Sequence, residues 1–328
     1  MVKMTVLASG SKGNSTVVSS SRTRILVDVG LSCREIFKRM AAAGEDPRTL
    51  DAILITHEHQ DHVQGLAVTA RKLGIPVYFT EPTHRAWVRW MNPRKRVTYA
   101  DWLEARRASA QPSAVSDQED SNQRAAVGVQ DLDGAPVSEV EIEAGAEGAD
   151  SEKQKPDKEV CALPGVEYFC SGVGFSVGDI AVTPFTIPHD AADPMGFVFV
   201  ANGVRVGLAT DLGYMPENAK RHLKKCDVLM LESNHDLEML RDGPYPWSVK
   251  QRVMSRVGHL SNLAAAEFLE GEYDGGAAYV VLAHLSQSNN LPELARVSAE
   301  HALRERTSLL ANKLLLAEQD RPLESILL

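Results

Sequence analysis

The chain has 328 residues, 44% of them hydrophobic, and a formal net charge of −9. That is enough apolar content for a core, yet no apolar run approaches the roughly 20 residues that cross a bilayer, which excludes a helical membrane protein. The charge is uneven: residues 108–159 hold 13 acids and 4 bases, and the remainder carries 31 of each. The body is therefore formally neutral, and global charge decides nothing about a nucleic-acid partner. Cys33, Cys161, Cys170 and Cys226 are scattered and form no Cys-x-x-Cys pair. Isolated thiols suit a reducing cytoplasm better than a disulfide framework. The N-terminus enters a strand-like run at once, without a long secretory apolar region.

In chain order, β-branched runs at 5–7, 15–18 and 24–27 alternate with turn residues and predict a β-meander. Ser32 with Glu35 three residues on marks a helix start, and Ile36, Phe37 and Met40 give that helix one apolar face. A strand-like run over 52–55 leads into Thr-His-Glu-His-Gln-Asp-His at 56–62. A second helix follows over 66–73, ending at Gly74. Between 84 and 102, Arg85, Arg89, Arg94, Lys95 and Arg96 interleave with Trp87, Trp90, Tyr99 and Trp102. Bases beside aromatics suit strand binding by charge and stacking. Trp87 and Trp90, three apart, suit the buried face of a helix equally well.

Residues 108–159 contain no aromatic residue and only isolated apolar ones. Such a stretch cannot offset its ordering entropy, so it is expected to be a disordered insertion within a single domain spanning 1–328. The functional alternative is an acidic mimic of nucleic acid that limits access to a site. Beyond it, strands are expected around 174–177, 180–185, 196–200, 204–210 and 228–232, and helices over 217–225, 246–257, 263–270 and 291–318. Strands then helices, twice over, predict an α/β chain with two sheets packed together and helices outside.

The stretch 56–62 carries the chemistry. His57 and His59 point the same way in an extended backbone. Asp61 and His62 fall on the turn, where they can serve a second ion. Imidazole with carboxylate accepts zinc, manganese or iron. The interleaved Asp and further candidate ligands downstream weigh against a mere His-rich loop.

His57-x-His59-x-Asp61-His62 resembles the signature of the metallo-β-lactamase fold, a superfamily of mostly two-metal hydrolases. The match continues in order with Asp28 in Leu-Val-Asp-Val-Gly, His189 in Ile-Pro-His-Asp, Asp211 in Ala-Thr-Asp-Leu-Gly and His284 in Leu-Ala-His-Leu-Ser. Glu232 in Leu-Glu-Ser-Asn-His and His259 in Gly-His-Leu-Ser-Asn are similar to motifs of ribonuclease Z-like nucleases. The opening Gly10-Ser-Lys-Gly-Asn-Ser and the segment 284–290 look most like the YycJ/WalJ group. The resemblance spans residues 1–107 and 160–305. It implies an αββα sandwich of two mixed sheets and a 5′→3′ DNA exonuclease. It also implies two divalent ions, one on His57, His59 and His189 and one on Asp61, His62 and His284, with Asp211 bridging.

Water between two such cations loses its proton near neutral pH and becomes the nucleophile. The candidate catalytic residues are Asp61, His259 and Glu232. His259 would protonate the leaving oxygen or hold the scissile phosphate, with Glu232 orienting it. A capping histidine and a structural buried ion pair are the plainer readings of these two. Asp28 is expected to hydrogen-bond a ligand histidine. Ser11 and Asn14, in a glycine-rich turn, are candidate phosphate contacts, as are Arg85, Arg89 and Arg94 for a strand. His235 fits a pocket or the surface. The rival functions are a small-molecule phosphodiesterase or thioesterase with the same ligands, and a regulatory protein that has lost turnover.

Overall fold

The computed structural model describes residues 1–92, 161–304 and 313–328, all within one compact unit of Met1–Pro93 and Asp157–Leu328. The acidic segment 108–159 lies outside the described residues, as do Arg94, Lys95, Arg96, Tyr99 and Trp102.

The first half opens with the expected antiparallel meander of β1 (Lys3–Ala8), β2 (Ser15–Ser19) and β3 (Arg24–Val27). It continues with β4 (Ala52–Leu54), β5 (Val77–Phe79) and β6 (Val166–Tyr168), each parallel to the strand before it. The second half repeats the plan. β7 (Phe175–Val177), β8 (Ile180–Thr186), β9 (Met195–Ala201) and β10 (Val204–Ala209) run antiparallel. β11 (Val228–Glu232), β12 (Tyr279–Ala283) and β13 (Lys313–Leu316) then follow in parallel. With β14 (Ile326–Leu327) closing on β1, the described residues form two seven-stranded mixed sheets.

Side chains alternate between the faces of each strand, and every face is used. Ile25 and Val27 of β3 enter a core shared with Phe197, Val206 and Met230 of the other sheet. Leu26, between them, packs with Ile36, Met40 and Leu66 of the helices Cys33–Ala42 and Leu66–Leu73. On β12, Val281 and Ala283 join the shared core, while Val280 and Leu282 pack with Phe268 and Ala299 of the helices Asn262–Gly271 and Pro292–Arg304. The result is the αββα sandwich. Strands covered on both faces need apolar residues at every position, which is why they read as unbroken hydrophobic runs.

Local signals place the helices. The Ser32 hydroxyl accepts the Glu35 amide at 3.3 Å, and Leu66–Leu73 stops at Gly74 with φ 69°. The helix expected over 291–318 is a correction: it spans Pro292–Arg304, and Lys313–Leu316 is strand β13 instead. A leucine run satisfies either periodicity, and pairing to the open edge of β12 decides it. The helix expected over 246–257 is only Trp247–Val253. In Glu81–Met91, Trp87 is fully buried beside Phe79 while Trp90 is 47% exposed, so one tryptophan, not both, takes the buried face. Among the described residues no helix is long and apolar enough to cross a membrane.

Candidate metal centre

The predicted ligands sit at the exits of strands. Asp28 follows β3, His57–His62 follow β4, His189 follows β8, Asp211 follows β10, Glu232 ends β11 and His284 follows β12. Parallel strands deliver their carboxyl ends to one side of a sheet, so side chains distant in sequence arrive together. Three of these residues take the left-handed backbone: Asp28 (φ 59°), Asp211 (φ 64°) and His284 (φ 56°). That conformation costs a non-glycine residue about 1–3 kcal/mol and collects at functional sites.

His57, His59 and His189 bring ring nitrogens within 4.8 Å of one another, as do the donor atoms of Asp61, His62 and His284, and those of His57, His62 and Asp211. Asp211 thus joins the two sets: it groups with His57 of the first, and toward the second its Oδ2 lies 3.4 Å from His62 Nε2 and its Oδ1 3.2 Å from His284 Nδ1. His57 Nε2, His284 Nε2 and Asp211 Oδ2 are buried without any hydrogen-bond partner. Leaving a buried polar atom unpaired costs about 1–3 kcal/mol. Three such atoms converging with other nitrogen and oxygen donors fit a divalent cation.

The atoms behind the ligands fix which nitrogen faces the cluster. His62 donates Nδ1–H to Asp28 Oδ2 at 2.8 Å, and His57 donates Nδ1–H to the Thr56 hydroxyl at 3.0 Å. His189 donates Nδ1–H to the Gly258 carbonyl at 3.0 Å, and His284 donates Nδ1–H to Glu232 at 2.9 Å. All four turn Nε2 inward. His59 is reversed: its Nε2–H reaches the Asp190 carbonyl at 3.2 Å, leaving Nδ1 3.2 Å from His189 Nε2.

Electrostatics follow from burial and these contacts. Burial pushes the His57 pKa well below the ordinary histidine range and lowers that of His189. Burial acts the same way on His62 and His284. It is outweighed at His62 by Asp61, Asp211 and Asp28, and at His284 by Asp211, Asp61 and Glu232, so both pKa values lie well above normal. Glu232, fully buried, is held at about 2 because His259 and His284 outweigh the desolvation.

His259 meets Glu232 at 2.8 Å, as the sequence predicts. Asn14 takes a place the sequence does not reveal: its amide donates to Asp61 Oδ2 at 3.1 Å and lies 3.0 Å from His62 Nε2. Ser11 lines the cavity beside Asp61, Asp211 and His284. Arg85 and Arg89 are exposed, Arg85 is paired with Glu81, and neither lines that cavity. His235 is buried, so its surface reading is corrected; desolvation lowers its pKa to about 4. Sequence reasoning missed Tyr245, Arg252 and Asn289 in the cavity wall, and also Asn234, whose amide donates to the His284 carbonyl at 2.8 Å. Asn234 lies two residues past Glu232 and was within reach of motif reading; Tyr245 and Arg252 carry no local signal.

Residues 8–130 match the model of the metallo-beta-lactamase superfamily, and residues 146–285 match that of the beta-lactamase superfamily domain. Exodeoxyribonuclease YycJ of Bacillus anthracis is 32% identical over 303 residues, covering 92% of this chain and 89% of that protein. The chain belongs to the metallo-β-lactamase superfamily, in its YycJ/WalJ group. Exodeoxyribonuclease WalJ of Streptococcus pneumoniae is 31% identical over 301 residues, covering 92% of this chain and 88% of its own length. The metallo-β-lactamase fold protein YhfI of Bacillus subtilis superposes with a TM-score of 0.56 at 13% identity, over 99% of this chain and all of that one, a likeness of fold alone. As a member of this superfamily the protein is a metal-dependent hydrolase, related to nucleases.

Proposed function

We propose that the protein is a two-metal phosphodiesterase acting on DNA, an exonuclease of 5′→3′ polarity. The placement of Asp211 carries this reading, since its carboxylate groups with His57 of one ligand set and adjoins His62 and His284 of the other. His57, His59 and His189 would hold one ion, and Asp61, His62 and His284 the other, with Asp211 between them. Zinc, manganese and iron all suit such donors. Bound there, the ions would supply an activated water and offset charge on the phosphoryl oxygens.

The chain's own residues do the rest. Glu232 holds the His259 Nδ1–H, which turns Nε2 toward the cavity. In the imidazolium form, whose charge the buried Glu232 carboxylate balances, the Nε2 proton passes to the leaving oxygen and leaves a neutral imidazole with its proton on Nδ1. Asn14 and Asp28 hold Asp61 and His62 in place. Ser11 meets a substrate phosphate, and Arg85 and Arg89 lie along the outer path of a strand. The names of YycJ and WalJ support DNA as substrate. The cavity supports a polymer: it measures about 190 Å³, below the ~300–1,000 Å³ of pockets that enclose a whole small molecule. We also infer a cytoplasmic enzyme of one domain interrupted by the acidic segment 108–159, in keeping with its unpaired cysteines.

The test is incubation with end-labelled single- and double-stranded DNA and RNA, with manganese or zinc, beside Asp61→Ala. Metal-dependent loss of nucleotides from the 5′ end of DNA, absent in the variant, is expected. Inert DNA together with hydrolysis of bis-p-nitrophenyl phosphate would replace this reading with a small-molecule one.

A further inference from the structure

Asp61, His62 and His284 all depend on one short turn, Ser9–Asn14, which joins β1 to β2. At its start the buried hydroxyl of Ser9 accepts the amide N–H of His284 at 2.8 Å. The His284 carbonyl accepts Asn234 Nδ2 at 2.8 Å, so this left-handed residue (φ 56°) is clamped on both sides. At the end of the turn, Asn14 donates its backbone N–H to the Asp61 carbonyl at 2.7 Å and its side-chain amide to Asp61 Oδ2 at 3.1 Å. Ser15, the next residue, donates its hydroxyl to the Asp28 carbonyl at 2.9 Å, and Asp28 holds His62. The other ligand set is supported elsewhere: His57 by Thr56, His59 by the Asp190 carbonyl and His189 by the Gly258 carbonyl. Among the described residues, Ser9–Ser15 makes no hydrogen bond to any of those three histidines.

The turn is built to keep its shape. Asn14 closes it, accepting the Gly10 N–H at 2.8 Å and donating to the Gly10 carbonyl at 3.1 Å. A Cβ at Gly13 (φ 149°) would lie 2.6 Å from the Gly30 carbonyl, so the turn packs directly on the loop after Asp28. Gln319, buried just past β13, accepts the Lys12 N–H at 2.7 Å and donates to the Gly13 carbonyl at 3.0 Å. The Ser9 N–H is taken by the Glu318 carbonyl at 3.0 Å, and Arg39 donates to the Gln319 carbonyl at 2.7 Å. The exit of the last parallel strand thus braces a turn of the first sheet.

We infer that this turn serves one ion alone, with Ser9 and Gln319 as its positioning residues. Ser9 fixes where His284 meets Asp61, and Gln319 fixes the turn that carries Ser9 and Asn14. The inference rests on the two-ion reading of the site and adds that the two ions are held by separate supports. An ion's affinity depends on donors held in place before it arrives, and the groups behind the donors do that holding. Loosening the turn therefore frees Asp61 and His284 while the supports of His57, His59 and His189 stay as they are. Occupancy of the second site can then vary without loss of the first.

The test needs no turnover. Titration calorimetry of the metal-free full chain with manganese counts the ions and gives the affinity of each, and electron paramagnetic resonance shows whether bound ions are spin-coupled. The parent is expected to bind two ions and to give the spectrum of a coupled pair. Ser9→Ala and Gln319→Ala should bind the first ion as the parent does and the second about 10–100-fold more weakly. At limiting manganese their spectrum should be that of an isolated ion. Loss of both ions in parallel would show a general structural role for the turn, and parent affinity at both sites would show that the turn supports neither. Either result overturns the inference and leaves the two-ion reading standing. A parent that binds one ion only overturns both.

Discussion

Glu232 accepts the Nδ1–H of His284 at 2.9 Å through the same oxygen that accepts His259 at 2.8 Å. Its second oxygen is filled by the amides of Leu212 at 2.8 Å and Leu260 at 3.1 Å. One buried carboxylate thus fixes the tautomer of a metal-facing histidine and of a cavity-facing one. Asp28 has the matching place in the first half of the chain, holding His62 and the Thr56 amide and hydroxyl.

This double attachment separates two variants that the sequence alone would treat as equivalent. His259→Ala should keep its metal and lose about 10²–10⁴ in kcat, the range for one general acid. Glu232→Gln should lose comparable turnover and, in addition, about 10–100-fold in metal affinity, because His284 loses its anchor. Elemental analysis and diester kinetics on both proteins check this. Equal metal content in the two would show that Glu232 serves His259 alone.

Metal removal should lower stability, because His57 Nε2, His284 Nε2 and Asp211 Oδ2 are left without partners. Binding at 1,000 times Kd contributes about 4 kcal/mol, so Tm should fall by several degrees in EDTA and return with manganese. The pH dependence has a definite sign. Without a cation, Asp61, Asp211 and neighbouring carboxylates hold His62 and His284 protonated above their ordinary range. A cation must displace those protons, so affinity rises with pH through the neutral range and binding releases protons. Calorimetry in buffers of different ionisation enthalpy measures that release, and zero release would contradict the ligand assignment.

Much of this site is legible in the sequence because strand exits are. A β-branched run ending in Asp or Glu announces Asp28 and Glu232, and the spacing of His57, His59, Asp61 and His62 announces the cluster. Residues that depend on long-range folding are not legible. Asn14 reads as a phosphate contact, yet the turn from Gly10 to Gly13 folds it back onto Asp61 and His62, with Gln319 bracing the turn through the Lys12 amide and Gly13 carbonyl. Residues 313–316 read as helix until β12 offers an edge. Tyr245 and Arg252 reach the cavity only because Lys250 and Asn289 shape the wall that carries them.

Gly30 gives the sharpest test of how the first ligand loop is held. It follows Asp28 by two residues, its amide donates to the Asn14 carbonyl at 2.9 Å, and the Asn14 amide donates to the Asp61 carbonyl at 2.7 Å. A Cβ at Gly30 would overlap the Asp61 carbonyl and lie 2.5 Å from the Asn14 amide. Both obstacles are backbone, so neither can swing aside as a flexible side chain would. Gly30→Ala should therefore cost about 3 kcal/mol or more, the upper range for overpacking, and should displace Asp61 enough to weaken metal binding. Gly44→Ala is the contrast: its Cβ meets nothing within 4 Å, and only its φ of 73° opposes the change, at about 1 kcal/mol. Urea denaturation ranks the two variants. A Gly30→Ala midpoint equal to that of the parent would mean that the Asp61 loop yields freely, and the rigid seating of the ligand loop would then be wrong.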